Sequence, residues 1–126
     1  MTFVDTNVFM YAVGGAHPLR VEARRRLFDA VDRKMPLVTS AEVLQEMLHA
    51  YMAVGRRATL DAALTLVDGC VMEVWAVEAE DVHLARALDD EHPGLAARDL
   101  VHLACCLRRN VSEVLTFDRA LAAAMR

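Results

Sequence analysis

Two apolar runs in this sequence end alike, each delivering an aspartate: Phe3 and Val4 lead into Asp5, and Leu115, Thr116 and Phe117 lead into Asp118. Such a run followed by an acid is the pattern of a buried strand that hands a carboxylate to the rim of a sheet. Neighbouring strands lie about 4.8 Å apart, so adjacent strands of this kind would bring both carboxylates to one rim, with Asn7 and Thr116 as polar support. An aspartate between a strand and a helix is also a favoured N-cap, and each of the two, taken alone, reads first as such a cap. Asp99 falls in the first turn of a helix, where the helix dipole favours a carboxylate. That helix is apolar on most faces, so Asp99 is expected to point into a partly enclosed space. Glu46 flanks a stripe made by Val43 and Met47, and on pattern alone it reads as a solvated helix glutamate.

Convergent carboxylates imply a counter-ion. Two of them ~5 Å apart repel by about 3 kcal/mol at an effective dielectric near 20. A site of several must bind a cation or take up protons. Oxygen donors without a fixed histidine or cysteine favour hard ions, so Mg²⁺ or Mn²⁺ is expected. A rival chemistry lies in three acid–histidine pairs at helical spacing, Glu46 with His49, Glu80 with His83 and Asp99 with His102. Such pairs recur in di-iron carboxylate bundles, a remote alternative here because those bundles have no use for β-prone segments. His102 reads equally well as a satisfied core histidine. A phospho-acceptor domain also gathers aspartates at strand ends, but it needs a lysine late in the chain, and the one lysine is Lys34.

The elements that must position these acids alternate along the chain. Thr2 to Val4 reads as a strand, followed by a short helical piece and a Gly14–Gly15 break. Pro18 suits a first helical turn, and Val21, Ala23, Leu27, Phe28 and Val31 carry a helix to about Arg33. Pro36 to Ser40 is β-prone, with Ser40 at the expected cap of a helix striped by Val43, Leu44, Met47, Leu48 and Tyr51. A further helix covers about Ala58 to Val67, and β-branched residues make Val71 to Val77 a strand. Helices follow at Glu78 to Asp90 and Ala96 to Arg109, then a strand at Val114 to Phe117 and a terminal helix from Asp118 to Met125. This alternation predicts a three-layer α/β/α sandwich around a central parallel sheet of four to five strands. Ligands in such folds bind beyond the carboxyl ends of the strands.

With 126 residues, 56% of them hydrophobic, the chain is expected to form one domain over residues 1–126 with one core. No apolar stretch approaches the roughly 20 residues that cross a bilayer, and the opening residues lack a basic segment before an apolar run, so a cytoplasmic, non-membrane protein is expected. Three cysteines, two of them the neighbours Cys105 and Cys106, suit buried thiols. A net charge of −4 argues against a general basic coat for nucleic acid. Of the 14 basic residues all but Lys34 are arginine, grouped at Arg20/Arg24/Arg25/Arg26, Arg56/Arg57 and Arg108/Arg109. Such groups suit local phosphate capture, or simply a solvated helix face.

The opening from Phe3 through Asp5 and Asn7, the stretch from Val38 through Ser40 to Glu46, the stretch from Ala97 through Asp99 to Ala104, and the closing Leu115, Thr116 and Asp118 together resemble the four acidic motifs of PIN-domain ribonucleases. In order, spacing and flanks they resemble most the VapC toxins of bacterial toxin–antitoxin pairs. The resemblance spans almost the whole chain. It implies a pocket built from Asp5, Glu46, Asp99 and Asp118, with Asp5 and Asp99 ligating Mg²⁺ or Mn²⁺. Glu46 and Asp118 would ligate a second ion or act through water, and Asn7, Ser40 and Thr116 match the polar positions around such pockets. The implied reaction is endonucleolytic hydrolysis of RNA by a metal-activated water, leaving 5′-phosphate and 3′-hydroxyl ends. The implied partners are a VapB-like antitoxin and a second copy of the chain, the latter through apolar surface around Tyr51 and Leu64. A PIN nuclease of general RNA processing is the alternative within the same family.

Overall fold

The computed structural model describes residues 1–126, and its centre is the segment Thr2–Val4, strand β1, whose three residues are all buried. Burial on both faces is why β1 reads as a continuous apolar run rather than an alternating one. Leu37–Ser40 (β2) pairs with one side of β1 and Glu113–Leu115 (β4) with the other, while Glu73–Trp75 (β3) adds to the far side of β2. All pairings are parallel and the order is β3-β2-β1-β4. Phe3 stands opposite Val38 and Val114, and Val4 opposite Leu115. The two aspartate-delivering strands are therefore neighbours, and their carboxyl ends leave the sheet side by side.

Parallel pairing requires crossovers, and seven helices supply them. Thr6–Val13 (α1), Arg20–Asp32 (α2), Ala41–Ala53 (α3) and Arg57–Cys70 (α4) pack together. Ala79–Asp89 (α5), Ala97–Arg108 (α6) and Arg119–Ala124 (α7) form a second group. Phe3 turns toward α6, stacking with Trp75 at 5.9 Å between ring centroids and meeting His102 at 5.3 Å. Three layers result, as the alternation of elements predicts.

Several local expectations are corrected. Ser40 occupies the N-cap of α3 but its side chain caps nothing; it is fully buried, and its hydroxyl oxygen has no hydrogen-bond partner. The last strand stops at Leu115 because the next residues turn to meet Asn7, whose Oδ1 accepts the Phe117 N–H at 3.3 Å. Tyr51 is core rather than dimer surface, buried among the residues that cover the sheet, and Leu64 packs against the same core. Exposed apolar side chains lie elsewhere: Leu48 and Met52 on α3, and Val21, Phe28 and Val31 on α2.

Candidate functional site

The carboxyl ends of β1 and β4 open onto a cavity of about 320 Å³ lined by Asp5, Glu46, Asp99 and Asp118 together with Thr6, Asn7 and Arg98. Four acids from four parts of the chain thus face one space. Asp5 arrives from β1 and is nearly buried. Its Oδ1 accepts the Thr6 N–H at 2.7 Å and its Oδ2 the Thr116 hydroxyl at 2.7 Å. Thr116 in turn accepts from Asn7 Nδ2 at 3.4 Å and from the Asp118 N–H at 3.0 Å. Asn7 and Thr116 thus join Asp5 and Asp118 in one chain of hydrogen bonds. Ser40 does not line the cavity.

Asp118 serves two roles that the sequence presents as alternatives. One oxygen caps α7, accepting from the N–H groups of Ala120 at 2.8 Å and Leu121 at 3.2 Å, while the other accepts no hydrogen bond. Glu46 reaches the cavity from α3, and its Oε2 accepts the Thr6 hydroxyl at 2.7 Å. Asp99, in the first turn of α6, makes no hydrogen bond and is held in the cavity by its helix alone.

His102 lies one turn beyond Asp99 and is completely buried. Its Nε2 stands 2.7 Å from Glu46 Oε1 and 3.6 Å from Asp5 Oδ1. The shorter contact pairs the ring with the Glu46 carboxylate, while Nδ1, on the other side of the ring, is buried without a hydrogen-bond partner. Asp5, Asp99 and His102 can each present one donor atom within 4.8 Å of the others. His102 is thus a core histidine that faces the acids from beneath the cavity and pairs with Glu46.

Electrostatics reflect this crowding. Burial, then the charges of Asp5 and Asp118, push the Asp99 carboxyl up to about 6. Burial also raises Asp5. Burial works the same way on Glu46, but His102 beside it, with help from Thr6 and Arg98, outweighs that and holds its carboxyl below the usual range. For His102 burial opposes the charged ring, yet Glu46, Asp5 and Asp99 together raise it. Carboxyls that hold protons because they face each other are what a divalent cation would discharge. The donor set fits such an ion: four carboxylates line one cavity, and neither Asp99 nor one oxygen of Asp118 is engaged by a hydrogen bond.

Three residues of the site are not singled out by sequence reasoning as members: Thr6, Arg98 and His102. Only the spacing of Asp99 and His102 on one helical face gave a signal. Arg98 is the one basic side chain lining the cavity, and it forms no ion pair. The arginine groups behave differently. Arg108 and Arg109 are held by Asp81 and Glu78, and Arg25 and Arg26 by Glu22.

A model of the PIN domain matches residues 2–125. The chain is 60% identical to Ribonuclease VapC23 of Mycobacterium tuberculosis over 126 residues, all of this chain and 99% of that protein. Its fold is similar to the crystal structure of Mycobacterium tuberculosis VapC20, described as a sarcin–ricin loop cleaving toxin, with a TM-score of 0.79 at 23% identity over 98% of this chain and 95% of the other. A second similar fold is that of VapBC2 from Rickettsia felis bound to a DNA fragment from the promoter, with a TM-score of 0.71 at 16% identity over 93% and 86% of the two chains. The four-acid pocket and the likeness over the full length agree, and the chain belongs to the PIN-domain family, among the VapC ribonucleases.

Proposed function

We propose that this protein is a metal-dependent endoribonuclease, the toxin of a toxin–antitoxin pair, acting as a single PIN domain in the cytoplasm. The observation that carries the reading is the meeting of Asp5, Glu46, Asp99 and Asp118 in one cavity at the carboxyl ends of β1 and β4. Asp5 and Asp99 would hold Mg²⁺ or Mn²⁺. When bound, such an ion neutralises the pocket, admits a phosphodiester and acidifies water.

The chain's own groups do the rest. Thr6 and Thr116 fix the Asp5 carboxylate by a hydrogen bond to each oxygen. Thr6 also holds Glu46 by its hydroxyl, so one residue sets the spacing of two acids. The free oxygen of Asp118 and the carboxylate of Glu46 orient a water for attack on phosphorus. Arg98, unpaired at the cavity, meets the non-bridging phosphate oxygens. The water oxygen bonds to phosphorus as the bond to the 3′ oxygen breaks, and a proton ends on that oxygen, leaving a 5′-phosphate and a 3′-hydroxyl.

The partners follow from family and surface. VapC23 is named a ribonuclease and VapC20 a toxin. RNA as substrate, a VapB-like antitoxin and a second copy of this chain are the corresponding partners here, with the exposed apolar stripes of α2 and α3 as surface for the two proteins. The test is incubation of the purified protein with total RNA in Mg²⁺, Mn²⁺ or chelator, followed by sequencing of new 5′ ends. Asp5→Asn and Asp99→Asn are expected to fold and to lose at least about a hundredfold in cleavage rate. Cutting that survives chelator, or that leaves cyclic phosphate ends, removes the mechanism.

A further inference from the structure

We infer that the exposed ring of His17, backed by Tyr11, is a stacking platform for one base of the RNA near the scissile phosphate. The inference rests on the reading of the chain as an endoribonuclease and gives its substrate a second point of attachment, away from the acids.

A row of rings leads out of the pocket. Asp118 lines the cavity, and its chain neighbour Phe117 is fixed there by donating its N–H to Asn7 Oδ1 at 3.3 Å. The Phe117 ring meets Tyr11 edge to face with 5.6 Å between centroids, and Tyr11 stacks on His17 at 4.5 Å with 25° between the planes. Arg26 lies over Phe117, 4.9 Å from the ring centre. Tyr11 stands one helical turn beyond Asn7 on α1, so the row starts from the helix face that lines the pocket. Phe117 and Tyr11 pack against the core, whereas His17 is exposed.

Exposure does not leave His17 loose. Its Nδ1 accepts the Leu19 N–H at 3.0 Å just ahead of α2, and one face of the ring rests on Tyr11. A ring held in one orientation loses little freedom when a flat ligand covers its other face. His17 also borders a hollow of about 470 Å³ with Ala16, Pro18, Arg20 and Val21, and Tyr11 is no part of that wall. The Nε of Arg20, on the same wall, is buried without a hydrogen-bond partner. A preset ring and an unsatisfied donor therefore adjoin one opening.

Chemistry selects the occupant. A chain of net charge −4 that takes hold of a polyanion gains most from a contact that does not depend on charge. Every base has a π-face, and bases of single-stranded RNA stack on aromatic side chains, histidine among them, without their sequence being read. The row of rings puts such a contact beside the acids that cut.

The experiment measures binding of a fluorescent single-stranded RNA oligonucleotide, spanning a cut mapped by sequencing of 5′ ends, to Asp118→Asn protein in Mn²⁺, where cleavage is suppressed. His17→Asn in this background removes the ring but keeps an acceptor for the Leu19 N–H. It should weaken binding about fivefold to a hundredfold and leave the dependence on salt unchanged. His17→Phe keeps a ring and lacks the acceptor, and should bind within about twofold of the parent. One abasic position near the cut should cost the parent about as much as His17→Asn does, and should cost the His17→Asn protein little more. Affinity that follows the acceptor, kept by His17→Asn and lost by His17→Phe, makes His17 a brace for α2 and overturns the platform. A loss accompanied by a shallower salt dependence assigns His17 to a phosphate and overturns it too, as does the absence of any abasic position coupled to His17. A wild-type chain that makes no metal-dependent cuts in total RNA removes the endoribonuclease reading, and this inference with it.

Discussion

Asp5 and Asp99 sit in one pocket under different constraints. Asp5 has a hydrogen bond to each oxygen, while Asp99 has none and meets its neighbours only through charge. A carboxyl that holds its proton more tightly folded than unfolded costs stability above its folded pKa, and the cost disappears below the unfolded value. Asp99, pushed up to about 6 by burial and then by Asp5 and Asp118, carries such a cost at neutral pH. His102 has the same sign: burial opposes its charge but its acidic neighbours raise it, so its contribution is present below the ordinary histidine value and lost as pH rises through the raised one. The metal-free protein should therefore melt higher at about pH 5.5 than at about pH 7.5, and Asp99→Asn should flatten much of that slope. Calorimetry in chelator checks this; a melting point that falls on acidification over that window rejects it. Added Mn²⁺ should reverse the trend, stabilising most near neutrality, because ion and proton compete for the same oxygens. Asp5, Asp99 and Asp118 were legible in the sequence because each ends an apolar run or opens a helix, whereas Glu46, in mid-helix, entered only through the family resemblance. Thr6 and Arg98 were not, since their roles depend on side-chain directions that packing decides.

Helix ends show where element-level reading succeeds and where it does not. α2, α3 and α6 all finish in the same double turn, in which the residue two beyond the cap donates back to the carbonyl five residues earlier: Met35 to Ala30, Arg56 to Tyr51 and Val111 to Cys106. Each needs a left-handed residue, supplied by Lys34, Gly55 and Asn110. Only Gly55 announces itself in sequence, because glycine adopts this conformation without strain. Asn110 tolerates it, and Lys34 at φ 55° does so at a cost. Lys34→Gly should accordingly raise unfolding free energy by about 0.5–1 kcal/mol, read as a shift in urea midpoint at unchanged m-value. No gain would mean that the longer side chain earns its place elsewhere. A different device joins α5 to α6. Asp81, inaccessible to solvent, receives Arg108 at 2.8 Å and Arg109 at 2.9 Å and also caps the Glu78 N–H. Although burial opposes it, the two guanidinium groups hold its carboxyl far below the usual range. Its stabilisation is present above the ordinary aspartate value and is lost as pH falls toward the depressed one. Asp81→Asn should cost about 2 kcal/mol by leaving Arg108 and Arg109 no anion but the exposed Glu78 at longer distance, and it should blunt acid unfolding in the same urea titrations. Nothing in the sequence paired Asp81 with this arginine couple, because the contact spans two elements.

At the scale of the molecule the puzzle is a chain of net charge −4 whose proposed substrate is a polyanion. Proteins that hold nucleic acid through many phosphate contacts lose affinity steeply with salt. Here Arg108, Arg109, Arg25 and Arg26 are engaged by their own acids. Arg24 donates to the Ala12 carbonyl, and Arg26 and Arg56 lie over the rings of Phe117 and Tyr51. Arg98, unpaired beside the carboxylates, is the basic group placed to meet a phosphate at the pocket. RNA capture should therefore depend on the ion more than on the surface. With about two phosphate contacts, the single-strand relation predicts less than about a tenfold loss of affinity between about 50 and 200 mM salt. A chelator should abolish binding at either concentration, since the unfilled pocket repels phosphate. Filter binding of labelled RNA to Asp118→Asn, in Mn²⁺ and in chelator, measures both terms while cleavage is suppressed. A loss of a hundredfold or more across that salt range would place recognition on a basic surface of the protein or its partner copy, and binding that persists in chelator would separate RNA capture from the acidic pocket altogether.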